Sequence, residues 1–217
     1  LRIYIFSFYA FLFFRSLAVT TMKNHFREDH TCYHLVNYSL ADGSVLGRQT
    51  VQGCSDDSAW ARGQAWALYG YTMMSREAAS AGDPEKSAAF LAQAEKVASM
   101  LLSRLPEDGI PYWDFDSPDI PDDFRDASAG AVMASAFTEL SSLTSDRRLG
   151  KACRKMALRQ IRALASDEYL AAVGENGNFL LRHSVGNKPG NSEVDVPLTY
   201  ADYYFLEAIL RYLRLPS

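Results

Sequence analysis

Helical periods that arrive in pairs constrain this chain more than any other feature. From Asp57 to about Ala79, apolar residues recur at helical spacing, among them Leu68, Tyr69, Tyr71, Met73 and Met74. Gly82-Asp83-Pro84 punctuates the pattern, and a second helix runs from about Glu85 to Arg104 on Phe90, Leu91, Ala94, Val97, Ala98, Leu101 and Leu102. A third helix starts at Asp126 or Ser128 and continues to about Leu143. A fourth spans Arg147 to Ala165, and a last one Leu198 to Leu213. Links inside a pair are short, links between pairs are long, and pairs repeat at about fifty residues, the pattern of stacked helical hairpins. One partner is rich in small residues, as in Ala127 to Ala136, and suits a crowded inner ring. The other, as in Arg147 to Ala165, carries more charge and suits an outer ring. The expected fold class is all-α: an α/α toroid of hairpins with its long loops gathered at one mouth. Upstream, Ser16 to Arg27 reads as the end of a helix. Tyr33 to Tyr38 alternates like a strand, Ser39 to Gly43 turns, and Val45 to Val51 returns, which predicts a short β-hairpin.

Two long loops interrupt the helices. Pro111 to Asp123 holds three prolines and five aspartates, which exclude regular structure. Gly174 to Asn191 is rich in Gly and Asn and carries His183. The string that precedes the first long helix is denser still: Gln52-Gly53-Cys54-Ser55-Asp56-Asp57-Ser58-Ala59-Trp60-Ala61-Arg62-Gly63-Gln64-Ala65-Trp66. Asp56, Asp57 and Ser58 are good helix caps and first-turn residues. Arg62 and Trp66 are four apart, so the guanidinium is expected to lie against the indole. Aromatic platforms beside an arginine and short polar groups suit a flat, anionic, hydroxylated ligand such as a uronic acid. A capped core helix with two buried tryptophans reads the same residues without any ligand. Trp113 likewise reads as a sugar platform or as a hydrophobic plug.

Composition narrows the partners. The chain has 217 residues, 48% hydrophobic and 22% charged, enough to bury a core as one domain or as part of a larger one. A net charge of −4 without any Lys/Arg-rich run argues against nucleic acid. Cys32, Cys54 and Cys153 are odd in number and widely spaced, so neither a disulfide framework nor a zinc ribbon is read from them. His25, His30 and His34, with Asp29 and Cys32 between them, fit no standard ligand spacing, and no metal or other cofactor is expected. Leu1 to Arg15 is apolar and aromatic, too short between Arg2 and Arg15 to span a membrane. No small-residue cleavage site follows it, as a secretory signal requires. A third reading takes residues 1–15 as foreign to the fold and the chain as truncated, with 16–217 the partial barrel domain.

The dense string resembles glycoside hydrolase family 88, the unsaturated glucuronyl hydrolases. Tyr33-His34, Pro111-Tyr112-Trp113-Asp114-Phe115, Arg125-Asp126-Ala127-Ser128-Ala129 and Tyr200-Ala201-Asp202-Tyr203-Tyr204-Phe205-Leu206-Glu207-Ala208 match as well, so the resemblance covers about Met22 to Arg211. It implies an (α/α)6 barrel, here incomplete and amounting to roughly the C-terminal half or more. The implied substrate is an oligosaccharide ending in an unsaturated uronic acid, the product of a polysaccharide lyase. The implied reaction hydrates the C4–C5 double bond of that uronate: an aspartic acid protonates C4, water adds at C5, and the hemiketal opens. One carboxyl acts as acid and then base.

The resemblance assigns Gln52 to holding the attacking water and His34 to the same site. It assigns Trp60, Arg62 and Trp66 to the substrate, with Arg48 and Thr50 on a loop that reaches the sugar, and Asp126 and His183 on other loops. If Arg62 does not serve the ligand, its expected partner is Asp56, Asp57 or Asp114. The family's acidic segment ending in Met-Met-Asn or similar, upstream of His34, is not matched. The chain alone is therefore expected to lack the proton donor, to be inactive and to be poorly stable. Two alternatives remain: an unsaturated rhamnogalacturonyl hydrolase of the same fold, whose motif tends to Trp-Ala-Arg-Gly-Asn-Gly-Trp where this chain has Gln64-Ala65, and a non-catalytic uronate-binding remnant. Both bacterial compartments, periplasm and cytoplasm, stay open.

Overall fold

The computed structural model describes residues 15–216, so the expectation for the first residues lies outside it except at Arg15. Helix α1 is described over residues 15–24, and its Arg15 pairs with Asp83 at 2.8 Å. The expected hairpin follows. Strand β1 (Leu35–Tyr38) pairs antiparallel with β2 (Val45–Gln49), and Asp42 Oδ1 ties the turn by accepting from the Ser44 amide and hydroxyl.

Two helical hairpins come next. Helix α2 (Ala61–Ser80) joins α3 (Pro84–Arg104) through Gly82, whose φ of +75° only glycine adopts freely, and through the Asp83 cap and Pro84. Helix α4 (Ala127–Leu143) joins α5 (Arg147–Leu164), capped by Asp126 and Asp146 respectively. A second β-hairpin, β3 (Ser184–Asn187) with β4 (Ser192–Val196), leads into α6 (Thr199–Leu213).

The helices form two layers. α4 packs between α2 and α6, while α3 covers α2 and α5 covers α4 from outside. Composition explains the layering. Every residue of α4 from Ala127 to Thr138 is buried, and its Ala, Gly and Ser side chains let neighbours approach on all sides. α5 buries only Gly150, Cys153, Ala157, Gln160 and Leu164, one stripe at helical spacing, and turns its Arg and Lys outward. Polar side chains stitch the inner layer: Glu207 of α6 accepts from Ser135 of α4 at 2.6 Å and from Tyr69 of α2 at 3.3 Å, and Arg211 pairs with Glu139 at 2.8 Å. Tyr203, Leu206, Leu210 and Leu213 stand exposed along α6. Among the described residues no helix is long and apolar enough to cross a membrane.

Two expectations need correction. Asp56, Asp57 and Ser58 do not cap α2, which begins at Ala61 after Trp60. Residues before it are held extended by the Trp113 loop: Trp60 bridges to Asp114, the Ala61 amide donates to Trp113 O, and that of Phe115 donates to Ala59 O. Asp56 instead accepts from the Thr50 amide, and Ser58 donates to Asp114. The Gly/Asn-rich stretch is also more regular than expected. It contains β3 and the approach to β4, hidden by left-handed backbone at His183, Asn191, Glu193 and Asp195.

Candidate functional site

Between α1, the first hairpin and α2 lies a cleft of about 490 Å³, lined by Phe26, Tyr33, His34, Trp60 and Trp66 among others. Gly63, Ala67 and Gly70 line the α2 side of it. Gly63 is required where it stands, because a Cβ there would lie 2.9 Å from the Trp60 ring.

His34 carries the turn that follows β2. Its Nδ1 accepts from the backbone amides of Val51 (3.1 Å) and Gln52 (3.2 Å) and lies 3.2 Å from Thr50 Oγ1. Two fixed donors at Nδ1 put the ring proton on Nε2, so the neutral imidazole is a hydrogen-bond donor. Its ring packs on Trp60 with centroids 4.4 Å apart. Burial, and then the Arg62 charge, hold its pKa below the ordinary value of 6.5. The neutral form therefore belongs to the folded state, and its contribution is complete above about pH 6.5 and lost as pH falls through the lowered folded value. His25, shifted the same way by burial and Arg48, adds to that loss. We expect the Val51 and Gln52 amide resonances to move together with the His34 ring signals on acidification below pH 6.5. In His34→Gln those two amides should show no such titration.

Arg62 is almost fully buried at 4% exposure. Its Nη1 pairs with Asp126 Oδ2 at 3.1 Å and donates to Val185 O; its Nη2 donates to Gly186 O at 2.7 Å and to Gln52 Oε1 at 3.5 Å. Four of its five N–H groups thus face protein acceptors. The expected partners Asp56, Asp57 and Asp114 are not used, and the guanidinium stacks on Trp60 (4.5 Å) and Tyr200 (5.7 Å) where Trp66 was anticipated. The pull of Asp126 and the β3 carbonyls turns it away from the next turn of α2. Trp66 packs with Tyr69, Tyr200 and Tyr204 and keeps a face on the cleft.

The remaining sequence candidates separate into two groups. Thr50 belongs with His34 and also accepts from the Gly53 amide. Asp126 is fully buried, caps α4 and holds Arg62. Arg48 instead donates to Asn24 O and lies over Tyr33, and His183 is partly exposed and pairs with Asp195 at 2.6 Å. Neither touches the His34–Gln52–Arg62–Trp60 group. Trp113 is the plug: it is buried with Trp60 and Val185, its ring N–H held by Asp123 at 2.6 Å. Sequence reasoning missed two supports. Asp114, completely buried, accepts from Cys54 N, Ser58 Oγ and Asp116 N, and so fastens the Cys54–Ser58 string to the Trp113 loop. Val185 and Gly186 act through carbonyls, which leave no trace in side-chain identity.

No protein-family model matches the chain. Curated relatives do. An unsaturated glucuronyl hydrolase of Formosa agariphila is 44% identical over 196 residues, 89% of this chain and 46% of the relative. One from Bacillus sp. is 35% identical over 195 residues, 87% of this chain and 48% of the relative. An unsaturated chondroitin disaccharide hydrolase of Streptococcus pyogenes is 33% identical over 206 residues, 93% and 50%. Among solved structures, an unsaturated glucuronyl hydrolase specific for heparin superposes with a TM-score of 0.83 at 49% identity, over 90% of this chain and 50% of that one. The chain spans about half the length of the relatives it matches. Across the nine-tenths of its own length that they cover, the chain is similar to the unsaturated glucuronyl hydrolases, glycoside hydrolase family 88.

Proposed function

We propose that the protein acts on oligosaccharides ending in an unsaturated uronic acid, hydrating the C4–C5 double bond, and that these residues form the binding side of that site. One observation carries the reading: His34, with its ring proton on Nε2, lines the cleft together with Trp66, and Gln52 is held beside it by Arg62. Donors above an aromatic face suit a planar uronate, whose carboxylate accepts and whose ring stacks. Arg62 acts by holding Gln52, Trp66 offers the aromatic face on the cleft, and Trp60, its ring already packed on His34 and Arg62, backs the group. Arg48 and His183 lie outside this group and remain candidates only for more distant parts of a saccharide.

The proton donor comes from elsewhere. Asp126 Oδ1 accepts from Ser128 N, Ser128 Oγ and Val185 N, and its Oδ2 faces Arg62. Asp114 is likewise occupied on both oxygens. Both are fully buried, engaged by protein donors and set back from the cleft, so neither is placed to reach the double bond as the acid. The substrate class follows the relatives' chemistry, with glycosaminoglycan-derived disaccharides first. The test follows the ultraviolet band of the unsaturated uronate during incubation with lyase products. These 217 residues should leave the band unchanged yet bind D-glucuronate, and a chain extended to the relatives' length should bleach it. An extended chain that leaves every such disaccharide intact would overturn the proposal.

A further inference from the structure

We propose that Asp126 is a positioning residue: through Arg62 it sets the direction in which the Gln52 amide faces. The proposal rests on the reading of Gln52 as a group that meets the ligand. Asp126 is fully buried and does not line the cleft. Its oxygens have separate tasks. Oδ1 is pinned by the Ser128 amide (3.0 Å), the Ser128 hydroxyl (2.6 Å) and the Val185 amide (3.4 Å), which fixes the plane of the carboxylate. Oδ2 then receives Arg62 Nη1 at 3.1 Å.

The guanidinium is thereby held at one edge by α4 and along another by the Val185 and Gly186 carbonyls, with Trp60 stacked on its face. A rigid fork fixed on those sides has little freedom left. Its remaining Nη2–H points to Gln52 Oε1 at 3.5 Å. An amide anchored by its oxygen presents its NH2 outward. Turned over, it would present an acceptor, which repels a carboxylate. The two orientations are chemically opposite, and only the charge on Asp126 ties Arg62 to the helix that selects one of them. A plain carbonyl acceptor holds a guanidinium less firmly than a carboxylate does.

The test compares the ligand-free 15N-labelled chain with Asp126→Asn, which keeps the shape of the side chain. The Gln52 side-chain NH2 signals are identified by their loss in Gln52→Ala. They should shift or broaden in Asp126→Asn while the rest of the spectrum stays that of a folded protein; unchanged signals overturn the relay. Should Asp126→Asn lose its fold, Ser128→Ala, which removes one hydroxyl from Oδ1, should move the same signals by a smaller amount, and no movement again overturns it. D-glucuronate titration supplies the second reading. Asp126→Asn should weaken binding by about tenfold in the wild-type background and by less than about twofold when Gln52 is already alanine. Equal losses in both backgrounds would leave Asp126 a helix cap and nothing more. If the wild-type chain binds no glucuronate, the functional reading fails, and the ligand-free spectra alone decide the relay.

Discussion

Arg62→Ala is expected to lower the melting temperature by on the order of 10 °C. The guanidinium is nearly buried and faces four acceptors, so its removal strands the fully buried Asp126 carboxylate and two backbone carbonyls. Breaking a buried pair by deleting one partner costs about 3–5 kcal/mol, because the remaining charge has no solvent to return to. The double variant with Asp126→Asn should recover part of the loss by removing the stranded charge. Arg62→Lys should recover less, since an ammonium cannot span acceptors set for a planar fork. Thermal unfolding of the four proteins side by side checks the whole set. A double variant no more stable than Arg62→Ala would show that carbonyl contacts, and not the ion pair, account for the cost.

Asp114→Ala is expected to have the next largest effect, roughly 3 kcal/mol. Among the described residues no cation pairs with Asp114; it is held by Cys54 N at 2.9 Å, Ser58 Oγ at 2.7 Å and Asp116 N at 2.9 Å. Alanine leaves the Cys54 and Asp116 amides unpartnered, leaves Ser58 only its bond to Ser55 O, and opens a void between the loops. The damage should also reach the site, because the string that Asp114 fastens carries both Gln52 and Trp60. Asp114→Asn keeps the volume but brings an NH2 toward amides that are themselves donors, so it should fall between wild type and alanine. Denaturant midpoints of both variants measure the cost. Equal midpoints for wild type and Asp114→Ala would refute the assigned role.

The helices were legible in the sequence because their signal is local. Apolar spacing placed α3, α4, α5 and α6 within a residue or two of their ends, and Asp126, one of the two expected starts of α4, caps it. Where local chemistry competed with tertiary contact, tertiary contact won. Asp56, Asp57 and Ser58 are capable caps, yet the Trp113 loop reaches the start of α2 first and supplies a backbone acceptor. The site was half legible for a related reason. His34, Thr50, Gln52, Trp60 and Arg62 come together from one stretch of chain, but the partner of Arg62 lies 64 residues away and its other anchors are backbone carbonyls. The second hairpin escaped notice because left-handed residues break its alternation on the β4 strand.

The burial of α4 on every side gives this molecule an internal clock. Its amides from Ala127 to Thr138 sit between α2, α5 and α6 and can meet solvent only when the whole packing opens, so their hydrogen exchange reports global unfolding. Thr50 to Ser58, tied down by a few side chains, can open without it. A variant that speeds exchange in the loop while the α4 clock keeps its rate has loosened the site alone. One that speeds both has shortened the life of the fold.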